Sequence, residues 1–141
     1  MALAGENPEQ LHKIAIAAAL HDMGIWTAGT FDYLPPSVRL ATTHLAAAVQ
    51  SARPAAEVTA MIEQHHKLTP WRGEPTWLVE PFRRADWADV TRGAIAAGAP
   101  RGMLRALYAA WPGAGFHRML LRLELARLRS HPLSPLPMLR L

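Results

Sequence analysis

Apolar residues recur along the chain at three- and four-residue intervals, the repeat of a helix face, and no stretch sustains the alternation of a strand. Asn7-Pro8 reads as an N-cap followed by a first-turn proline, so a first helix is expected over residues 8–23, stopped by Gly24. Gly29, Asp32, Pro35 and Pro36 mark residues 24–36 as a loop. A second helix is expected from residue 36 or 37 to about 51, and a third over 54–66. Pro70, Gly73 and Pro75 make residues 67–78 a second loop. Further helices are expected over 80–97, from 100 to just before Pro112, and over 115–130. The proline-rich segment after Ser130 cannot be helical and is expected to lie extended over the surface. The predicted fold is all-α: a single-domain bundle of five to six helices over residues 1–130, with a Pro-rich extended tail at 131–141.

Several polar residues fall on the apolar faces of these helices. In the first, Ile14, Ala17, Ala18 and His21 share one face, with Asp22 beside His21 at the helix end. In the second, Leu40, His44, Ala47 and Ala48 do the same. Val58, Met61, Ile62 and His65 repeat the spacing in the third, and His66 lies one step round. In the fourth, Asp86 sits between Phe82 and Val90, with Asp89 at the edge of that stripe. A single inward histidine is ordinarily a hydrogen-bonded core residue. Two inward Asp and several inward His on four successive helices are costly unless they satisfy one another or share a cation. Neutral imidazoles and carboxylates are the usual ligands of divalent metals.

Composition narrows the chemistry. The chain has 141 residues and no cysteine, which excludes a disulfide scaffold, a thiolate metal site and a cysteine nucleophile. Only 18% of residues are charged, against roughly 25% in an average soluble domain, and half are hydrophobic, the composition of a folded domain. The first residues are acidic and lack the apolar stretch of a signal peptide, and the apolar run at 14–20 is too short to span a bilayer. A cytoplasmic protein with no membrane partner is expected. The net charge of +4 arises wholly after His117, from Arg118, Arg122, Arg127, Arg129 and Arg140 against Glu124. This excess reads as the solvated face of an amphipathic helix. The five Trp and two Tyr are not interleaved with these arginines, so no nucleic-acid partner is expected.

Ala19-Leu20-His21-Asp22-Met23-Gly24-Ile25 resembles the His-Asp motif of the HD-domain superfamily of metal-dependent phosphohydrolases. Arg84-Ala85-Asp86-Trp87-Ala88-Asp89 resembles the segment carrying that family's distal Asp. His44 and the doublet His65-His66 match three further His ligands found in some members, in an order similar to the HD-GYP branch. Where that branch has Gly-Tyr-Pro, this chain reads Trp71-Arg72-Gly73-Glu74-Pro75, so a cyclic dinucleotide substrate is not transferred. The resemblance covers roughly residues 10–95. It implies one or two divalent ions, with Mn, Fe, Ni, Co, Mg and Zn not distinguished. His21, Asp22 and Asp86 would hold one ion, and Asp22 would bridge to a second held by His44, His65 and His66. It further implies hydrolysis of a small phosphoester, such as a nucleotide, with Asp22 and Lys67 catalytic and Lys67 and Arg72 meeting the substrate phosphate.

The family's first His lies on a helix well before the doublet, and only twenty residues precede His21. His12 is nine residues back on the same helix, hence on its opposite side and about 13 Å away, so it cannot join His21 on one ion. Either a ligand has been lost, or the chain is a truncated copy of a longer protein; the latter would uncover apolar surface and favour a homo-oligomer. The alternative function is a catalytically degenerate HD domain acting as a metal- or nucleotide-binding regulatory module. A ferritin-like bundle fits less well. Its Glu-x-x-His signature occurs at Glu9-His12 and Glu63-His66, but Glu9 falls in a first turn and the second helix has no Glu.

Overall fold

The structure, a computed structural model, describes residues 7–48, 52–96 and 98–139. Among these residues the fold is all-α, as the periodicity predicts: α1 (Pro8–Leu20), α2 (Gly24–Thr27), α3 (Leu34–Ala48), α4 (Ala52–Gln64), α5 (Thr76–Val90), α6 (Arg101–Ala110) and α7 (Phe116–Ser130). Six of these are substantial helices, and α2 is a single turn within the segment expected to be loop. No helix of the described residues is long and apolar enough to cross a membrane.

The helix ends follow from local chemistry. Asn7 caps α1: its side-chain oxygen accepts the Glu9 N–H at 3.0 Å, and Pro8 fills the first position, where no amide donor is needed. α3 begins at Leu34, before the two prolines rather than after them. Pro35 and Pro36 fall in its first turn, where the amides they lack have no intrahelical partner anyway. α5 begins at Thr76, runs through Pro81 and stops at Val90, earlier at both ends than the expected 80–97. Its stop is a Schellman motif: Gly93 N–H donates to Ala88 O at 2.7 Å, and Arg92 N–H to Asp89 O at 2.8 Å. Arg92 takes the left-handed conformation that glycine usually supplies, at φ 52°.

The main core lies between α1, α3, α4 and α5. Ala17, Ala41, Val58, Met61, Ile62 and Val79 are fully buried there. The alanines let α1 and α3 approach α4 closely, and each large apolar side chain so buried contributes about 1.5–3 kcal/mol. Lys13, nearly buried, ties α1 to α4 through an ion pair to Glu57 at 2.6 Å and pairs with Glu9 of its own helix at 2.6 Å.

A second, smaller cluster joins Ile25, Tyr33, Leu34 and Met138. The tail carries no helix, as expected, but it does not simply lie on the surface: Met138 is only 5% exposed. α6 and α7 are peripheral, since only Leu104 of α6 and no residue of α7 is buried. Polar contacts hold them to the end of α5. Tyr108 Oη donates to Ala88 O at 2.8 Å, and His117 Nε2 donates to Asp89 O at 3.1 Å.

Gly24 joins the two clusters. Its N–H donates to the buried Ser37 Oγ at 2.9 Å, and a Cβ here would run into the Tyr33 carbonyl oxygen and Ser37 Oγ. Gly24→Ala is therefore expected to destabilise the fold by about 1–3 kcal/mol, the range for forced overpacking, measured by urea unfolding. An unchanged midpoint would show that the α2–α3 contact gives way freely.

Candidate metal centre

α1, α4 and α5 bring their polar inward residues to one place. His21 caps α1 and Asp22 follows it; His65 and His66 form the turn after α4; Asp86 lies within α5. The His65 side chain has no exposed surface, and those of Asp22, His66 and Asp86 are 18%, 13% and 13% exposed.

Each imidazole is fixed through one nitrogen and presents the other to a carboxylate. His21 Nδ1 donates to Ala18 O at 2.9 Å, which leaves Nε2 at 3.3 Å from Asp22 Oδ2 and 3.6 Å from Asp86 Oδ1. His65 Nδ1 donates to Ile62 O at 2.6 Å, which leaves Nε2 at 3.7 Å from Asp22 Oδ1. Both bonds run to the carbonyl three residues back, so the end of each helix orients its own ligand. His66 Nε2 meets Tyr33 Oη at 2.5 Å, and its Nδ1 lies 3.6 Å from Asp86 Oδ2. Metal-ligating histidines typically have their second ring nitrogen held in this way.

Three buried atoms of this cluster have no hydrogen-bond partner: Asp22 Oδ1, His65 Nε2 and Asp86 Oδ2. Each such group costs about 1–3 kcal/mol when left unmade. Two overlapping sets can hold a metal ion, His21 with Asp22 and His65, and His65 with His66 and Asp86; within each, the candidate ligand atoms lie within 4.8 Å of one another. The orphaned oxygens and ring nitrogen fit a cation bound by N and O donors.

The electrostatics follow from burial and proximity. Burial disfavours a charged His21, but the Asp22 and Asp86 carboxylates outweigh it and raise its pKa to about 10. Burial likewise pushes Asp22 up, yet His21 and His65 hold it well below the ordinary carboxylate range. Burial, with the neighbouring His65 ring adding to it, lowers His66 to about 4. Burial, with the charge of Asp22, raises the Tyr33 hydroxyl far above its usual value. Tyr33 therefore keeps its hydroxyl proton and pairs with a neutral His66. A hydroxyl also accepts, so Tyr33 can hold either tautomer of that ring.

A second network braces the His65-His66 turn. Arg83, 8% exposed, pairs with Glu80 through two bonds of 2.7 and 2.8 Å, and its third nitrogen donates to Lys67 O at 2.9 Å. Trp87 Nε1 donates to the same carbonyl at 3.2 Å. Glu80 also accepts the Trp71 N–H at 2.8 Å, which ties down the 67–75 segment.

Not every expected site residue joins the cluster. His44 is exposed on α3 and belongs to neither metal-capable set among the described residues. α3 buries Ser37, Ala41 and Leu45, which places His44 at the edge of its inner face, about 60° from the centre. A cleft of about 680 Å³ opens beside His21, Asp22, His66 and Asp86, and neither Lys67 nor Arg72 lines it. Lys67 contributes its backbone carbonyl to the brace, and Arg72 is exposed on the loop. Asp89 is exposed but does line the cleft. His12 is exposed on α1, as its position opposite His21 requires.

Tyr33, Glu80 and Arg83 were not legible as site residues. Tyr33 lies in an aperiodic segment with no spacing to mark it. The Glu80–Arg83 pair has the i, i+3 spacing of an ordinary helix ion pair, and only the fold gives it a carbonyl to hold. Comparison with protein-family models, curated proteins and solved structures finds no match to this chain.

The two shifted histidines set opposite pH limits on the metal-free protein. His21's contribution to stability is complete below its free value of 6.5 and is lost as pH rises to about 10. His66 is held neutral, so its contribution is present above 6.5 and is lost as pH falls to about 4. Unfolding of metal-free protein is expected to show greatest stability near neutrality, with losses on both sides. A flat profile between pH 4 and 10 would mean that neither ring has the environment described.

Proposed function

We propose that the chain is a metal-dependent phosphohydrolase of the HD-domain type, acting on a small phosphoester. One observation carries the reading: three imidazoles, each fixed through one nitrogen, turn the other toward Asp22 and Asp86, whose buried outer oxygens lack partners. The order in which His21-Asp22, His65-His66 and Asp86 occur supports it, since it resembles the family's motif. His44 is left out of the proposed ligand set, and the overlapping groups around His65 accommodate one or two ions.

A divalent ion in such a centre supplies polarisation of a phosphoryl oxygen and a water of lowered pKa. The protein's own contribution is to prepare the place. Asp22 and Asp86 concentrate negative charge where burial strengthens its pull on a cation. The Ala18 and Ile62 carbonyls and the Tyr33 hydroxyl fix the three rings, so little ordering remains to be done on binding. Arg83 and Trp87 hold the Lys67 carbonyl and keep the His65-His66 turn against α5. In the proposed reaction the ester P–O bond breaks, water's oxygen bonds to phosphorus, and the alcohol leaves with a proton.

Protein purified without chelator is expected to contain about one or two transition-metal ions per chain, measured by elemental analysis, the usual occupancy of such sites. Asp22→Ala and Asp86→Ala should lose them, and His44→Ala should retain them. The loaded wild type should release phosphate or nitrophenol from nitrophenyl phosphoesters, and chelation should abolish this. Wild type that stays empty after reconstitution with manganese, iron or nickel would defeat the reading. Metal uptake with no turnover on any phosphoester would favour the binding module instead.

Removing the brace should act at a distance. Arg83→Met leaves Glu80 and the Lys67 carbonyl without their cation. It is expected to cost about 1–3 kcal/mol, as for leaving partly buried hydrogen-bonding groups unmade, and to weaken metal uptake. Uptake unchanged in a folded Arg83→Met protein would show that the turn holds its shape without the brace.

A further inference from the structure

The cleft beside the candidate centre has two unlike halves. Its floor carries the site residues His21, Asp22, His66 and Asp86. Its walls are mostly apolar, with Trp26, Phe31, Phe116, Leu120, Leu121 and Met138 from α2, α7, the loop and the tail. Trp26 stacks on Phe116, with ring centroids 6.1 Å apart and planes at 29°, so this wall is a built surface joining α2 to α7.

Among the described residues no Lys or Arg lines the cleft, whereas two further carboxylates do, Asp89 and Glu124. Glu124 Oε2 is buried without a hydrogen-bond partner. Sites for nucleoside polyphosphates surround the phosphate chain with guanidinium, ammonium or backbone N–H groups. Here anionic charge beyond the one phosphoryl group at the floor meets two carboxylates, hydrocarbon and a single further imidazole, His117, whose Nε2 is already bonded to Asp89 O. The volume, about 680 Å³, is that of a pocket which encloses a whole small molecule.

We infer that this cleft selects phosphomonoesters with a single phosphoryl group and an extended apolar organic group, and discriminates against nucleoside polyphosphates. The inference rests on the phosphohydrolase reading for the phosphoryl end and on the cleft walls alone for the organic end.

The test is calorimetric binding of methylphosphonate, n-octylphosphonate and adenosine diphosphate, to the metal-loaded and to the metal-free protein. Octylphosphonate is expected to bind about 100-fold more tightly than methylphosphonate, counting three or four methylenes as buried at about fourfold each. The preference should persist without metal, because the walls do not depend on it. Adenosine diphosphate should bind more weakly than octylphosphonate in both states. Leu121→Asp, at a position already 60% exposed, should reduce the octyl preference at least about tenfold. Octyl- and methylphosphonate binding within threefold of each other, or adenosine diphosphate binding more tightly than either, would overturn the inference. Failure of metal uptake with the chain-length preference intact would sink the phosphohydrolase reading and leave the assignment of the walls standing.

Discussion

Two carboxylates withdrawn from water constrain everything around them. Asp22 and Asp86 are mostly buried, and each keeps an oxygen with no hydrogen-bond donor. An isolated buried carboxylate is among the least tolerable groups in a protein interior, so neighbours must supply positive charge or donors. In the metal-free protein His21 does this most directly, lying between the two. Much of the surrounding architecture serves that arrangement. α1 and α4 both end where their last histidines meet the carboxylates, and the small residues Ala17 and Ala41 allow the close packing that brings those ends together.

A centre held this way is stable yet strained in its chemistry. His21 retains a proton that a metal ion would have to displace, and His66 refuses one that its exposed counterpart would take. The orphaned atoms mark the remaining deficit. Tyr33 and the Arg83–Glu80 brace limit how far the rings and the turn can move to relieve it. Such preorganisation disfavours collapse of the site onto itself and favours a cation from outside. On the proposed function, the same rigidity would keep the ligand set ready before substrate arrives.

The second half of the molecule plays a different part. α6 and α7 contribute little buried surface, and polar contacts to the Ala88 and Asp89 carbonyls hold them to α5. Their attachment nonetheless gives the centre an apolar wall, completed by Met138 of the tail. α7 is amphipathic: Arg118, Arg122 and Arg129 face water, Arg127 donates to Ser134 O, and Leu120 lines the cleft. It is a surface helix that also lines the cleft beside the candidate centre.

The helical fold was legible in the chain because a 3.6-residue period requires only local pattern, and so was the inward phase of His21, His65 and Asp86. Three details depended on something that pattern does not encode. His44 shares a periodic stripe with apolar residues, but α3 turns the neighbouring stripe of Ser37, Ala41 and Leu45 to the core, and only packing against α1 and α4 chooses between overlapping stripes about 75° apart. α5 ends at Val90 because Arg92 and Gly93 adopt left-handed backbone that lets a Schellman motif close, where helical periodicity alone continues toward residue 97. Tyr33, Arg83 and the cleft walls acquire their roles from partners tens of residues away. By itself the sequence determined the helices, the absence of thiol chemistry and the imidazole and carboxylate donors available. Tertiary structure alone decided which donors converge and what surrounds them, because convergence is a property of distances between helices, and those are set by the packing of side chains far apart in the chain.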